Sequence, residues 1–159
     1  MKVRNGFVSN SSSSSFIVAL PSKPKTAIEL CNILFSDLGY FSHPYDDVQY
    51  STQTVAEAVF EELSESKPAS VEEIVDTIDS GWFEGRPEFP MDSCRDKDKF
   101  EAYKKNCREK ATEIARQFMG GKEGLEFFIL EFSDNTQLGC ALEHGDAFGG
   151  VPHLRISRH

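Results

Sequence analysis

Residues 11–20 read SSSSSFIVAL, five serines running straight into five apolar residues, with Pro21 next. The apolar half, residues 16–20, is short, carries Phe, Ile and Val, and is closed by a proline, the pattern of a buried strand. The other strand-like stretches lie at the far end of the chain. Residues 125–132 are rich in Phe, Ile and Leu, and Asp134-Asn135 is a turn pair. Residues 137–143 then read as the returning limb of a C-terminal hairpin. Residues 153–157 alternate weakly and suit an edge strand. The middle is helical. Thr26-x-x-Glu29, Thr54-x-x-Glu57 and Ser70-x-x-Glu73 each fit a capping box, and apolar stripes follow them. Lys67-Pro68 ends the second helix, and Gly81 offers a left-handed stop to the third. Phe100, Tyr103, Cys107, Ile114 and Phe118 recur at helical spacing up to Gly120-Gly121, predicting a fourth helix of about six turns. The fold class expected is α+β: a three- to four-stranded, mostly antiparallel sheet from the N-terminal strand and C-terminal hairpin, with about four helices packed on one side.

The 159 residues read as a single domain, with residues 1–15 a Ser-rich segment and 16–159 an α+β core. Apolar residues make up 39%, including 13 Phe, enough for a real core. No apolar run approaches bilayer-spanning length. Lys2 and Arg4 imitate the start of a signal peptide, but residues 16–20 are too short for its apolar region. The expected location is the cytoplasm, in a prokaryotic or viral setting. Cys31, Cys94, Cys107 and Cys140 are scattered with no C-x-x-C pair, so reduced thiols are expected rather than a zinc ribbon or redox motif.

The net charge of −9 is uneven. Residues 46–92 carry 13 acids against Lys67 and Arg86, while residues 1–26 carry four bases and no acid. So acidic a middle disfavours non-specific nucleic-acid binding and suits a basic partner surface, or imitates the charge of nucleic acid itself. Two connecting segments are unusually aromatic. YFSHPYDDVQY (residues 40–50) brings Tyr40, Phe41 and Tyr45, and WFEGRPEFPMDSC (82–94) brings Trp82, Phe83 and Phe89. These six are candidate partner anchors, the alternative being lids over a small core.

The serines lie between Phe7-Val8 and Phe16, with turn formers Gly6 and Asn10 beside them. That arrangement reads as a loop tethered at both ends. Small side chains bring its N–H and O–H donors close to a ligand, so Arg4, Asn10, Ser11, Ser12, Ser13, Ser14 and Ser15 are candidate phosphate-binding residues, with Arg155 a further basic contributor. The glycines and lysine of a P-loop are missing. The C-terminal stretch EHGDAFGGVPHLRISRH gathers His144, Asp146, His153 and His159, candidate ligands for a divalent metal or groups for proton transfer, at spacings that match no established metal motif. Serine-nucleophile hydrolysis lacks its G-x-S-x-G turn.

The string from Arg4 through the serines to Phe16 resembles the N-terminal signature of a scattered family of small proteins from tailed bacteriophages and some bacteria. The closing His144-Gly145, Pro152-His153, Arg155-Ile156-Ser157 and His159 resemble the tail of many members. The resemblance implies a phage-encoded accessory protein and supplies no catalytic residues. The function expected is therefore binding of a host or phage protein. One alternative is a small-ligand or nucleotide binder, with possible transferase or hydrolase chemistry, using the serines and C-terminal histidines. Another is an N-terminal motif read as a processing or modification tag. Order along the chain suggests that serines and histidines share one rim of the sheet.

Overall fold

The structure, a computed structural model, describes residues 12–91 and 95–158. Arg4, Asn10, Ser11, Cys94, His159 and most of the N-terminal signature lie outside the described residues.

The first strand, β1 (Ser13–Leu20), starts three residues before the apolar run, so Ser13, Ser14 and Ser15 belong to the sheet rather than to a tethered loop. Strand β4 (Glu126–Ser133) pairs antiparallel along its whole length, from Ser13 opposite Ser133 to Leu20 opposite Glu126. Strand β5 (His153–Ser157) pairs antiparallel on the other side, from Ser14 opposite Ser157 to Val18 opposite His153. The order β4-β1-β5 makes β1 the central strand. A serine in that place is held by ladder bonds on both sides, which offsets its low strand propensity.

Alternation along β1 divides the interior in two. Phe16, Val18 and Leu20 enter one core with Phe128, Leu130 and Phe132. Helix α1 (Ala27–Leu34) adds Leu30 and Leu34, and α2 (Thr52–Glu65) adds Val55, Val59 and Leu63. Ile17 and Ala19 enter the other core with Phe127 and Ile156, covered by α3 (Val71–Ser80) through Ile74, Val75 and Ile78. The long α4 (Lys97–Met119) covers the same face with Ala111 and Ala115. Helices therefore pack on both sides of the sheet, not one. The capping boxes could not show this, because each helix stripe states that a face is buried and not against which side of a strand.

The N-caps differ in detail from their sequence signatures. Thr26 Oγ1 accepts from Glu29 N (3.1 Å), but the Glu29 carboxylate reaches Lys25 N (2.8 Å), one residue before the cap. Helix α2 is capped by Ser51, whose Oγ accepts from Thr54 N (3.1 Å), rather than by Thr54. At α3 the full box forms: Glu73 N donates to Ser70 Oγ (3.2 Å), and Ser70 N to the Glu73 carboxylate (2.8 Å). Those bonds to Ser70, with Lys67 helping, lower the Glu73 pKa to about 2. Because the folded value is depressed, this contribution is whole above the ordinary carboxylate pKa near 4.5 and fades as pH falls toward 2. Ser70→Ala is expected to lower the melting temperature by about 3 °C, an N-cap's worth of stability. It should also return the Glu73 titration, read by carboxyl NMR, toward the ordinary range; an unmoved titration would contradict the cap.

Gly81 follows α3 with φ −120°, extended rather than left-handed. Its role is close approach: a Cβ there would collide with the Ile156 side chain and the Ser157 carbonyl of β5. Trp82 N then donates to Ser157 O (2.7 Å), extending the sheet by a single bridge.

The expected hairpin return at 137–143 is instead a helix, α5 (Gln137–His144), and residues 40–51 form a separate small hairpin of β2 (Tyr40–Ser42) and β3 (Gln49–Ser51). Thr136 caps α5 by accepting from Gly139 N (2.9 Å). Gly139 lets the helix turn back over the end of β4, where any Cβ would strike the Ser133 carbonyl. A run of seven residues reads equally well at period two or 3.6.

Candidate functional site

Ser14 and Glu143 define the most connected polar cluster. Ser14 projects from β1 on the side of Phe16, toward α5, where Glu143 is closed to solvent. Ser14 Oγ donates to Glu143 Oε1 (3.2 Å), and Ser12 Oγ donates to Oε2 (3.1 Å). Next along α5, His144 Nε2 stands 3.6 Å from Glu143 Oε2. Arg155, on the strand opposite Phe16, donates from Nε to Ser14 Oγ (3.3 Å) and brings a terminal nitrogen to 3.2 Å from His144 Nδ1. The Tyr45 ring lies edge-on to His144, with centroids 5.4 Å apart. One strand of serines, one helix terminus, one edge strand and one hairpin tip thus meet at a single corner.

Three sequence candidates come together here: the serines, His144 and Arg155. His153 does not. It stands opposite Val18, four positions along β1 from Ser14, with Nδ1 beside Val151 O (3.0 Å) and its ring near Phe148. Asp146 is exposed at the turn after α5. Among the described residues no three His, Cys, Asp or Glu side chains are gathered as a metal would need, so His144, Asp146 and His153 do not form a joint metal site.

The geometry also redirects the phosphate-cradle reading. Ser14 and Ser15 are buried, and their hydroxyls turn to carboxylates: Ser14 to Glu143, and Ser15 weakly to Glu131 (3.5 Å), itself paired with Arg158 (2.9 Å). At Ser14 and Ser15 the hydroxyl donors point to partners inside the fold and are not offered to a phosphate. Nor is this a nucleophilic relay. A hydroxyl nucleophile needs a base that takes its proton and a third group orienting that base. Here Ser14 meets the carboxyl directly, and His144 lies on the carboxyl's other side. The arrangement ties β1 to α5. Sequence reasoning missed Glu143 because it was placed in a strand; helical spacing of Leu138, Ala141 and Leu142 was the available signal.

The aromatic candidates divide. Phe83 is buried in the second core and Phe41 packs against the first. Tyr40, Tyr45, Trp82 and Phe89 are exposed, and Phe89 meets Tyr103 (5.3 Å) and Phe100 (6.3 Å) of α4 edge-on. The Tyr45 turn is held by His43, whose Nδ1 accepts from Tyr45 N (3.2 Å) and Asp46 N (3.1 Å).

Cys31 and Cys107 are buried and Cys140 half-buried, none of them in a disulfide. Burial, then the nearby carboxylates of Asp134, Glu143 and Asp46, pushes the Cys140 thiol pKa up, away from nucleophilic use. No helix of the described residues is long and apolar enough to cross a membrane. Comparison with protein families, curated proteins and solved structures gives no significant match to this chain.

Proposed function

We propose that this chain is a phage-encoded accessory protein that acts in the host cytoplasm by binding a host or phage protein. The observation that carries the reading is the display of aromatics on ordered supports: Tyr40, Tyr45 and Trp82 are 76%, 69% and 62% exposed. Tyr45 rides a turn fixed by His43, and Trp82 is pinned through its backbone to β5. Rigid aromatics bury large area on binding at small entropic cost, which is why they dominate interface energetics. The phage origin rests on the resemblance of the terminal motifs. The 13 acids of residues 46–92 favour a basic partner.

Affinity capture from infected cells, with wild type and a Tyr45→Ala/Trp82→Ala variant as baits, tests this. The variant should retain the wild-type melting curve and lose its partner by about tenfold or more, one anchor's worth of affinity. Recovery should also fall as salt rises past about 0.1 M. Equal capture by both baits would overturn the reading. So would thermal stabilisation by a nucleotide or divalent cation, which would favour small-ligand binding instead.

A further inference from the structure

The β4 edge of the sheet is open beside an acidic wall. In β1 the even-numbered residues bond toward β4 and the odd-numbered ones toward β5, as Asp134 N to Ser12 O and Ala19 N to Pro152 O show. The odd-numbered backbone groups of β4 therefore face outward. The first part of that edge is covered: Ala69 N donates to Phe127 O (2.7 Å), and Ser66 Oγ approaches Ile129 O (3.4 Å). Beyond it, the N–H and C=O of Glu131 and the N–H of Ser133 have no backbone partner among the described residues. They border a groove of about 560 Å³ running between α2 and α5. Its floor includes Phe132, Leu138 and Leu142, and its α2 wall is Glu61, Glu62 and Glu65. None of these three carboxylates has an ion-pair partner among the described residues.

We propose that this groove binds an extended, basic segment of a partner protein, which adds a strand to β4 at Glu131. The proposal rests on the reading of the chain as a protein-binding protein and names a second contact surface, distinct from the aromatic anchors. Backbone bonds to the open edge supply a sequence-independent share of the binding. Every second side chain enters the groove and supplies specificity: Lys or Arg there reaches the glutamates with its methylene stem over Leu138 and Leu142, and the apolar residues between face the other side of the sheet. A second copy of this chain fits poorly, because edge-to-edge pairing would bring two such glutamate walls together in a protein of net charge −9.

The probe is a labelled peptide of alternating Lys and Val, compared with its Glu-Val counterpart and with a Lys-Val peptide N-methylated at alternate residues. Binding is followed by anisotropy and by amide hydrogen exchange of the full chain. The Lys-Val peptide should bind, slow exchange at the Glu131 and Ser133 amides, and weaken about tenfold or more on Glu61→Lys/Glu65→Lys substitution or N-methylation. The Glu-Val peptide should not bind. Equal binding of methylated and unmethylated probes would overturn the proposal, as would failure of the Lys-Val peptide to bind. Protection of the edge by concentration-dependent dimerisation without peptide would also overturn it. Partner capture lost on Tyr45→Ala/Trp82→Ala but untouched by Glu61→Lys/Glu65→Lys would remove this surface and leave the wider reading standing.

Discussion

Glu143→Ala is expected to lower the unfolding free energy by about 3 kcal/mol, measured by urea denaturation. The side chain is closed to solvent and receives the hydroxyls of Ser12 and Ser14, one on each oxygen. Truncation takes away the acceptor of Ser14, while Ser12 keeps Asp134 Oδ2 (3.1 Å), and it leaves a void between β1 and α5. Ser14, itself buried, would keep only its bond from Arg155. Glu143→Gln preserves the shape and one carbonyl acceptor, so it should recover more than half of the loss. If the alanine variant were within about 0.5 kcal/mol of wild type, the range of an ordinary surface substitution, the clasp would have no structural weight.

Phe16→Ala should cost still more, about 3–5 kcal/mol, a large part of a typical domain's stability. Phe16 is the aromatic hub of the first core, with ring centroids 4.9 Å from Phe148 and 6.0 Å from Phe132. Those two rings are 6.1 Å from each other, so removing the third opens a space that neither can fill without leaving its own contacts. Phe16→Leu should lose less, about 1.5 kcal/mol, because most of the volume stays. Thermal denaturation of both variants checks the ordering, and equal losses would contradict it.

Much of the architecture could be read from local pattern. The strand at 16–20, the box at Ser70, the long helix before Gly120 and the edge strand at 153–157 all depend on chemistry within a few residues of themselves. What escaped the reading depends on distant partners. Ser13 to Ser15 have no intrinsic strand preference and become strand because β4 and β5 arrive on either side. The segment 137–143 became a helix because Gly139 could approach the Ser133 carbonyl, a contact that exists only once β4 is in place. The candidate site divided along the same line. Serines and the C-terminal histidines were expected on a common rim; of His144 and His153 only His144 joins the serines, together with Arg155, while Glu143, the group that joins them, was hidden in a misassigned element. His153 fell four positions down the strand, outside the cluster. For the aromatics, sequence could mark the segments but not decide that Phe83 turns inward while Trp82 turns out.

The central position of β1 bears on how this chain is made. Its two neighbours in the sheet begin at Glu126 and His153, more than a hundred residues later. A ribosome adding on the order of 10 residues per second exposes the most apolar strand of the protein for roughly ten seconds before either neighbour emerges. Through that interval the helices can form, but the sheet cannot. Acquisition of the fold thus waits until residues 126–157 have been made, with slow, non-local closure as the expected final step. Premature termination anywhere before residue 126 would release a fragment whose stickiest segment has nothing to pair with.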